Sequence, residues 1–196
     1  NAAAQLQSLG GAFSTVRPDF HYDAEVINAF PQVVSAGLSW KISSRWRLAL
    51  QADWINWSDA FDRLEIRLRG GDNADLNALV GSDSTEDFVP LAWKDRFVYR
   101  AGVEFSASPR VRLRAGYAYG QSPVPEETLT PLTAAILEHT LSAGLGFELG
   151  RCQLNLGYQF DLPSARQVTA SVIRSGEYRD SRVAAGIHWI GVGTLV

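Results

Sequence analysis

The sequence predicts an all-β fold of the antiparallel transmembrane β-barrel type, and three observations carry that prediction. Long runs between residues 31 and 189 alternate apolar and polar side chains with a period of two. The connections between runs are short at one end and long at the other, and the large aromatics fall into two bands along the strands. A soluble sandwich also alternates, with its polar face in water. The asymmetric connections and the aromatic bands are what favour a membrane.

Residues 1–30 are weakly patterned, broken by Gly10-Gly11 and Arg17-Pro18-Asp19, and read as a loop plus the remainder of a preceding strand. Residues 31–196 read as the C-terminal part of a transmembrane barrel. From Pro31, Val34, Ala36, Leu38, Trp40 and Ile42 share one face. After a short turn at Ser43-Ser44, Trp46, Leu48, Leu50, Ala52 and Trp54 continue it, with Trp40 expected across from Trp46. Residues 63–69 read as a resumption of this strand, and the Asp-, Glu-, Asn- and Ser-rich residues 70–92 as a surface loop without a strand.

The central hairpin follows. Phe97, Tyr99, Ala101, Val103 and Phe105 oppose Lys94, Arg96, Val98, Arg100, Gly102 and Glu104. Beyond a turn at Ser108-Pro109, Val111, Leu113, Ala115, Tyr117 and Tyr119 oppose Arg112, Arg114, Gly116, Ala118 and Gly120. The expected register sets Phe105 against Val111 and Glu104 against Arg112. A long connection, 121–136, in which Thr130-Pro131 is expected to start a short helix, leads to a strand with Leu137, His139, Leu141, Ala143, Leu145, Phe147 and Leu149 on the apolar face. The turn at Gly150-Arg151 returns it through Cys152, Leu154, Leu156, Tyr158 and Phe160. After an extended run at 167–173, residues 178–189 form the last strand, with Val183, Ala185, Ile187 and Trp189 on the apolar face and Arg182 among the inward residues.

About seven strands result. Trp40, Trp46, Phe105, Phe147 and Trp189 lie near the short-turn end, and Trp54, Phe97, Tyr119 and Phe160 some eight residues further on. At about 3.3 Å per residue and a tilt near 40°, the two bands stand about 20 Å apart, the height of an outer-membrane apolar band. Seven strands leave two edges that a bilayer does not tolerate, so further strands are expected before residue 30. A chain that begins at Asn1 without Met is expected to be processed or truncated.

Composition narrows the function. The chain has 196 residues, a formal net charge of −3, 17 Gly, six Trp, no Met and one cysteine, Cys152. No apolar run approaches the roughly 20 residues of a membrane helix. One cysteine provides neither a disulfide framework nor metal-ligand spacing. Charge is spread without a basic stripe, so no nucleic-acid partner is expected.

Four stretches, WKDRFVYRAG (93–102), RLRAGYAYGQSPVP (112–125), EHTLSAGLGFEL (138–149) and LNLGYQF (154–160), resemble the C-terminal half of the FadL family of outer-membrane transporters for long-chain fatty acids and other hydrophobic compounds. The resemblance covers roughly residues 31–189. It implies about half of a fourteen-stranded barrel in the outer membrane of a Gram-negative-type cell, a monomer when complete, surrounded by outer-membrane lipid. The implied partner is a hydrophobic small molecule such as a fatty acid, with no cofactor. Two departures are the absence of the family's N-terminal hatch and a chain that runs past Trp189 through IGVGTLV instead of ending on an aromatic. The short turns are expected in the periplasm, and 70–92 and 121–136 outside the cell.

Most inward charges read as a lattice of lumen ion pairs, with Glu104 and Arg112 as the clearest structural pair. Lys94 and Arg96, toward the long-loop end without a carboxylate opposite in the expected register, are the candidate ligand-binding cations, with Arg100 in support. The resemblance adds that the Lys-Asp context of Lys94 matches a basic interior residue near the ligand headgroup. Opposed Gly144 and Gly157 leave a gap in which an acyl chain can lie, or merely permit curvature. An outer-face Ser-His hydrolase would place a serine two positions from His139; Leu137 and Leu141 stand there, so no enzyme is expected. The alternative to transport is a structural or adhesive barrel without a specific ligand.

Overall fold

Seven of the ten strands pair as one antiparallel sheet in the computed structural model, which describes residues 19–195. In chain order the strands are β1 (Asp23–Ile27), β2 (Gln32–Lys41), β3 (Trp46–Asn56), β4 (Arg63–Arg69), β5 (Thr85–Pro90), β6 (Arg96–Ser108), β7 (Val111–Gly120), β8 (His139–Leu149), β9 (Cys152–Gln167) and β10 (Arg182–Leu195). The large sheet runs β10-β9-β8-β7-β6-β3-β2, so each strand lies beside its chain neighbour once residues 63–90 are set aside.

Those residues belong elsewhere. With residues 19–29 they form a separate compact unit, a three-stranded sheet in the order β1-β4-β5. The alternation RLEIRLR does make a strand, but its charged face is matched by Glu25 and Glu86, which meet Arg69 and Arg67 at 3.7 and 3.3 Å. It therefore does not continue the barrel strand before it. Residues 70–92, expected as a strandless loop, contain β5 and a helix at Ala74–Val80. Asn73 caps that helix, its side chain accepting from the Leu76 N–H at 3.0 Å, and Gly81 ends it at φ +80°.

In the seven-stranded unit the expected faces hold from β2 to β9, whereas two registers move. The β6–β7 turn is the two residues Pro109-Arg110, so β6 extends further than expected, to Ser108. One extra residue, Ala107, then sets Ser106 against Arg112 and Glu104 against Arg114. The β2–β3 pairing shifts likewise, placing Trp40 against Leu48. Each is a slip of two residues, which changes partners but not faces.

The last strand is different. Between the pairs Ala185↔Ser164 and Ile187↔Asp161, β10 has one residue and β9 has two, Leu162 and Pro163. Proline cannot donate to the ladder and settles at such bulges. The odd residue reverses the expected parity of β10. Ile187 and Trp189 lie opposite the inward Asp161 and Gln159, and the Trp189 indole donates to Asp161 at 3.2 Å. His188, Ile190 and Val192 point outward instead, and Arg182 takes the same outward parity. The segment IGVGTL is thus part of the strand, and Trp189 does not belong to the short-turn aromatic band.

The outward face carries Val34, Leu38, Trp40, Tyr99, Leu141 and Ile190, exposed to between 47 and 84%. That is a surface for hydrocarbon, not water. Side-chain burial is instead concentrated at the long-loop end, where Leu91, Val124, Leu129, Ile136, Val168, Ile173 and Val183 form a small core of the same unit. The 121–136 connection, expected as a long connection with a short helix starting at Thr130-Pro131, supplies much of it. Thr128 donates to the Leu91 carbonyl at 2.6 Å, and Thr130 caps a short 3-10 turn at Pro131–Thr133. Glu126 ties this connection to the 168–181 segment by accepting from the Thr169 hydroxyl and from its N–H, the latter at 2.8 Å.

Two outcomes follow from this geometry. In single-tryptophan variants, phospholipids brominated on their acyl chains quench the fluorescence of Trp46 on the outward face strongly, and that of Trp189 weakly. Comparable quenching would return Trp189 to the lipid face. The Thr169 hydroxyl, and next its backbone N–H, hold the Glu126 carboxyl below its ordinary value of 4.5. A depressed carboxylate stabilises fully above that ordinary value and loses its contribution as pH falls through the depressed one. Protection of the amides in 121–136, taken relative to the intrinsic exchange rate at each pH, is therefore expected to fall on acidification, and Glu126→Gln to remove that pH dependence.

Candidate functional site

The inward face of the seven-stranded sheet lines an open cavity of about 1320 Å³. Its wall is made by strand parity: every second residue of β3, β6, β7, β8 and β9 projects into it, and the register fixes which of them meet.

In the short-turn half the wall is charged and cross-braced. Glu104 accepts from Arg114 Nε at 2.8 Å, while Arg114 Nη1 donates to Asn155 Oδ1 at 2.9 Å. One arginine thus spans β6 to β9. It crosses Gly144 and Gly146, where a Cβ would meet Arg114 atoms at 3.5 and 3.3 Å. The pair expected from the sequence, Glu104 with Arg112, is replaced: Arg112 bonds Glu148, because the two-residue slip carries it past Glu104. Gly144 and Gly157 are directly opposed, as expected, and Gly191 completes the row. The space above Gly144 is occupied by the Arg114 stem, whereas a Cβ at Gly157 would meet nothing within 4 Å.

Toward the long loops Arg100 is engaged by Asp53, a residue 3% exposed that also accepts from Gln51 at 2.7 Å. Arg100 thus has an acidic partner in the wall itself. Asp161 is equally spoken for, accepting from Thr140 at 2.6 Å and Gln159 at 3.0 Å besides Trp189. Arg96 differs: its Nε and Nη1 donate to the carbonyls of Ser122 and Asp95 at 3.0 and 3.1 Å, and among the described residues no carboxylate forms an ion pair with it, although its charge acts on the neighbouring Asp95. Beside it the cavity wall carries Ile55, Trp57, Val98 and Pro123 along with Gln121 and Glu138.

Lys94 is not on the inward parity of a strand, as the alternation suggested. It precedes β6 in an extended segment whose N–H donates to the Pro123 carbonyl at 2.9 Å. Its side chain lines a smaller pocket of about 270 Å³ with Arg96, Arg166, Glu126 and Glu138. Glu138 accepts from Arg166 at 2.6 Å and from the Ser122 N–H at 3.0 Å. Arg96 therefore touches both spaces, and Lys94 only the outer one. The sequence reading missed Arg166 and Glu138 as partners because the Pro163 bulge alone brings Arg166 to the inward face. Trp93 stacks on Phe61 at 4.6 Å beside Trp57, an aromatic cluster under the same loops. His139, on the outward face, bonds the Tyr117 hydroxyl at 2.7 Å.

This architecture is shared with solved transporters. The toluene transporter TodX of Pseudomonas putida superposes with a TM-score of 0.63 at 19% identity, over 88% of this chain and 36% of that one. A TodX mutant described as a monoaromatic hydrocarbon channel gives 0.67 at 20% identity, over 88% and 37%. The toluene transporter TbuX of Ralstonia pickettii gives 0.60 at 13% identity, over 88% and 35%. The chain spans little more than a third of the length of these structures. Among proteins of curated function, none matches it in sequence. Residues 1–183 match the sequence model of the family described as outer membrane protein transport protein (OMPP1/FadL/TodX), and the chain belongs to that outer-membrane family.

Proposed function

We propose that the inward face forms part of the wall of a passage through which hydrophobic small molecules cross the outer membrane down their gradient. The observation that carries this reading is an apolar stretch of the cavity wall, with Ile55, Trp57, Val98 and Pro123, beside Arg96, whose guanidinium hydrogen-bonds to backbone carbonyls. A purely structural barrel has no use for that apolar stretch. Burial of a methylene supplies about 0.8 kcal/mol, enough to draw an apolar molecule in without a cofactor.

Long-chain fatty acids are the finer reading, with Lys94 and Arg96 receiving the carboxylate at the long-loop end and Gly157 leaving room along the wall. A desolvated carboxylate is costly unless a charged donor meets it. The structurally similar toluene transporters are described by an uncharged ligand, and the apolar stretch suits such a molecule equally well. In this reading the outward face is covered by lipid, the protein acts as a monomer, and the short turns lie in the periplasm.

Loss of one hydrogen bond to a charged group costs about 1.5 to 3 kcal/mol. Lys94→Ala is therefore expected to weaken binding of a long-chain fatty acid by roughly ten- to a hundredfold, and of the corresponding alcohol far less. Equilibrium binding to the purified protein measures both. Equal losses would move the carboxylate elsewhere, and binding of neither ligand by the unaltered protein would favour a structural barrel.

A further inference from the structure

We propose a second anion station in the short-turn half of the lumen, formed by Lys41 and Arg47, which takes the carboxylate of an amphiphilic acid; it rests on the passage reading above. The register carries the argument. Lys41 lies directly opposite Arg47, Arg47 opposite Glu104, and Glu104 opposite Arg114. One row of the wall thus holds three cations and one carboxylate. That carboxylate is already bonded to Arg114 Nε.

Among the described residues, neither the Lys41 nor the Arg47 side chain makes a hydrogen bond or an ion pair, although the Arg47 charge acts on Glu104 opposite it. Both residues are exposed, and Arg47 lines the large cavity. Like charges set directly opposite each other weaken a sheet, so this pair opposes folding as it stands. An incoming carboxylate converts the repulsion into two attractions: the guanidinium fork meets both oxygens, and the ammonium adds a third donor. The next row toward the long loops is Ser39, Ala49, Gly102, Gly116 and Ser142, small side chains that leave room for an acyl chain.

This station is distinct from the one at Lys94 and Arg96. Eight residues of β6 separate the levels of Arg96 and Glu104, about 26 Å at 3.3 Å per residue, longer than a dodecanoate molecule. The two cation sets would hold an acid in turn, one at each end of the passage.

Native mass spectrometry of the detergent-purified protein, expressed from its own gene, tests this with dodecanoate and dodecanol. Two dodecanoates are expected on the unaltered protein. One is expected on the Lys41→Gln/Arg47→Gln variant, with the lost site weakened at least tenfold and dodecanol uptake unchanged. The Lys94→Gln/Arg96→Gln variant is expected to keep the inner dodecanoate. Without ligand, Lys41→Gln alone should leave the thermal midpoint unchanged or raise it, since it relieves the repulsion with Arg47. A lowered midpoint would instead make Lys41 a structural partner and overturn the station. Two dodecanoates on the Lys41→Gln/Arg47→Gln variant, or a parallel loss of dodecanol, would overturn it too. A single site abolished by Lys94→Gln/Arg96→Gln would overturn the inner station and leave the passage standing. Binding of neither probe by the unaltered protein would overturn both.

Discussion

Antiparallel pairing with a period of two is the constraint on which the rest of this chain depends. Each backbone group in the hydrocarbon must be bonded to a neighbouring strand, so a side chain can face only lipid or lumen. An even slip exchanges partners and preserves the faces; an odd one exchanges the faces themselves. Both occur here. The β6–β7 slip replaces one ion pair by two, Glu104 with Arg114 and Arg112 with Glu148, without moving a charge into lipid. The extra residue at Leu162-Pro163 inverts β10 and turns Trp189 into the lumen.

The parts legible in the sequence are those that depend on parity alone. Seven strands, their order, the outward apolar face and the opposed Gly144 and Gly157 follow from alternation and turn length. Exact partners do not, because Val111 can be set against Phe105 or against Ser108 with the same faces. The alternation of β10 misleads for a different reason: Val183, Ala185, Ile187 and Trp189 are apolar yet inward, and the small Ala184 and Gly186 between them give no opposing signal. Pro163 was the sign that a bulge stood there. Lys94 illustrates a further limit, since a residue one step before a strand fits its period without sharing its backbone.

The distribution of burial explains why the connections were hardest to read. A two-layer soluble domain hides its apolar residues between layers, whereas here the sheet offers them to a second solvent and keeps its own tight packing for the long-loop end. Leu129 and Ile136, at 1 and 0% exposure, lie in a segment whose Pro, Glu and Thr content reads as surface. Thr128, Thr130 and Ser122 are buried with them because each hydroxyl satisfies a backbone group that the irregular chain would leave unpaired. The 63–90 excursion follows the same logic in miniature, its strand charges answered within its own small sheet.

Arg114 has a consequence for assembly of the sheet. The register with Glu104 against Arg112 satisfies the same faces as the native one, so the strands of β6 and β7 can meet either way before their neighbours arrive. Within that hairpin alone the two pairings are nearly degenerate. The tie from Arg114 across Gly144 and Gly146 to Asn155 exists in only one of them, and it requires β8 and β9 to be in place. The choice of register therefore falls to strands that are synthesised later, which makes correct pairing of the central hairpin a late, collective event in membrane insertion.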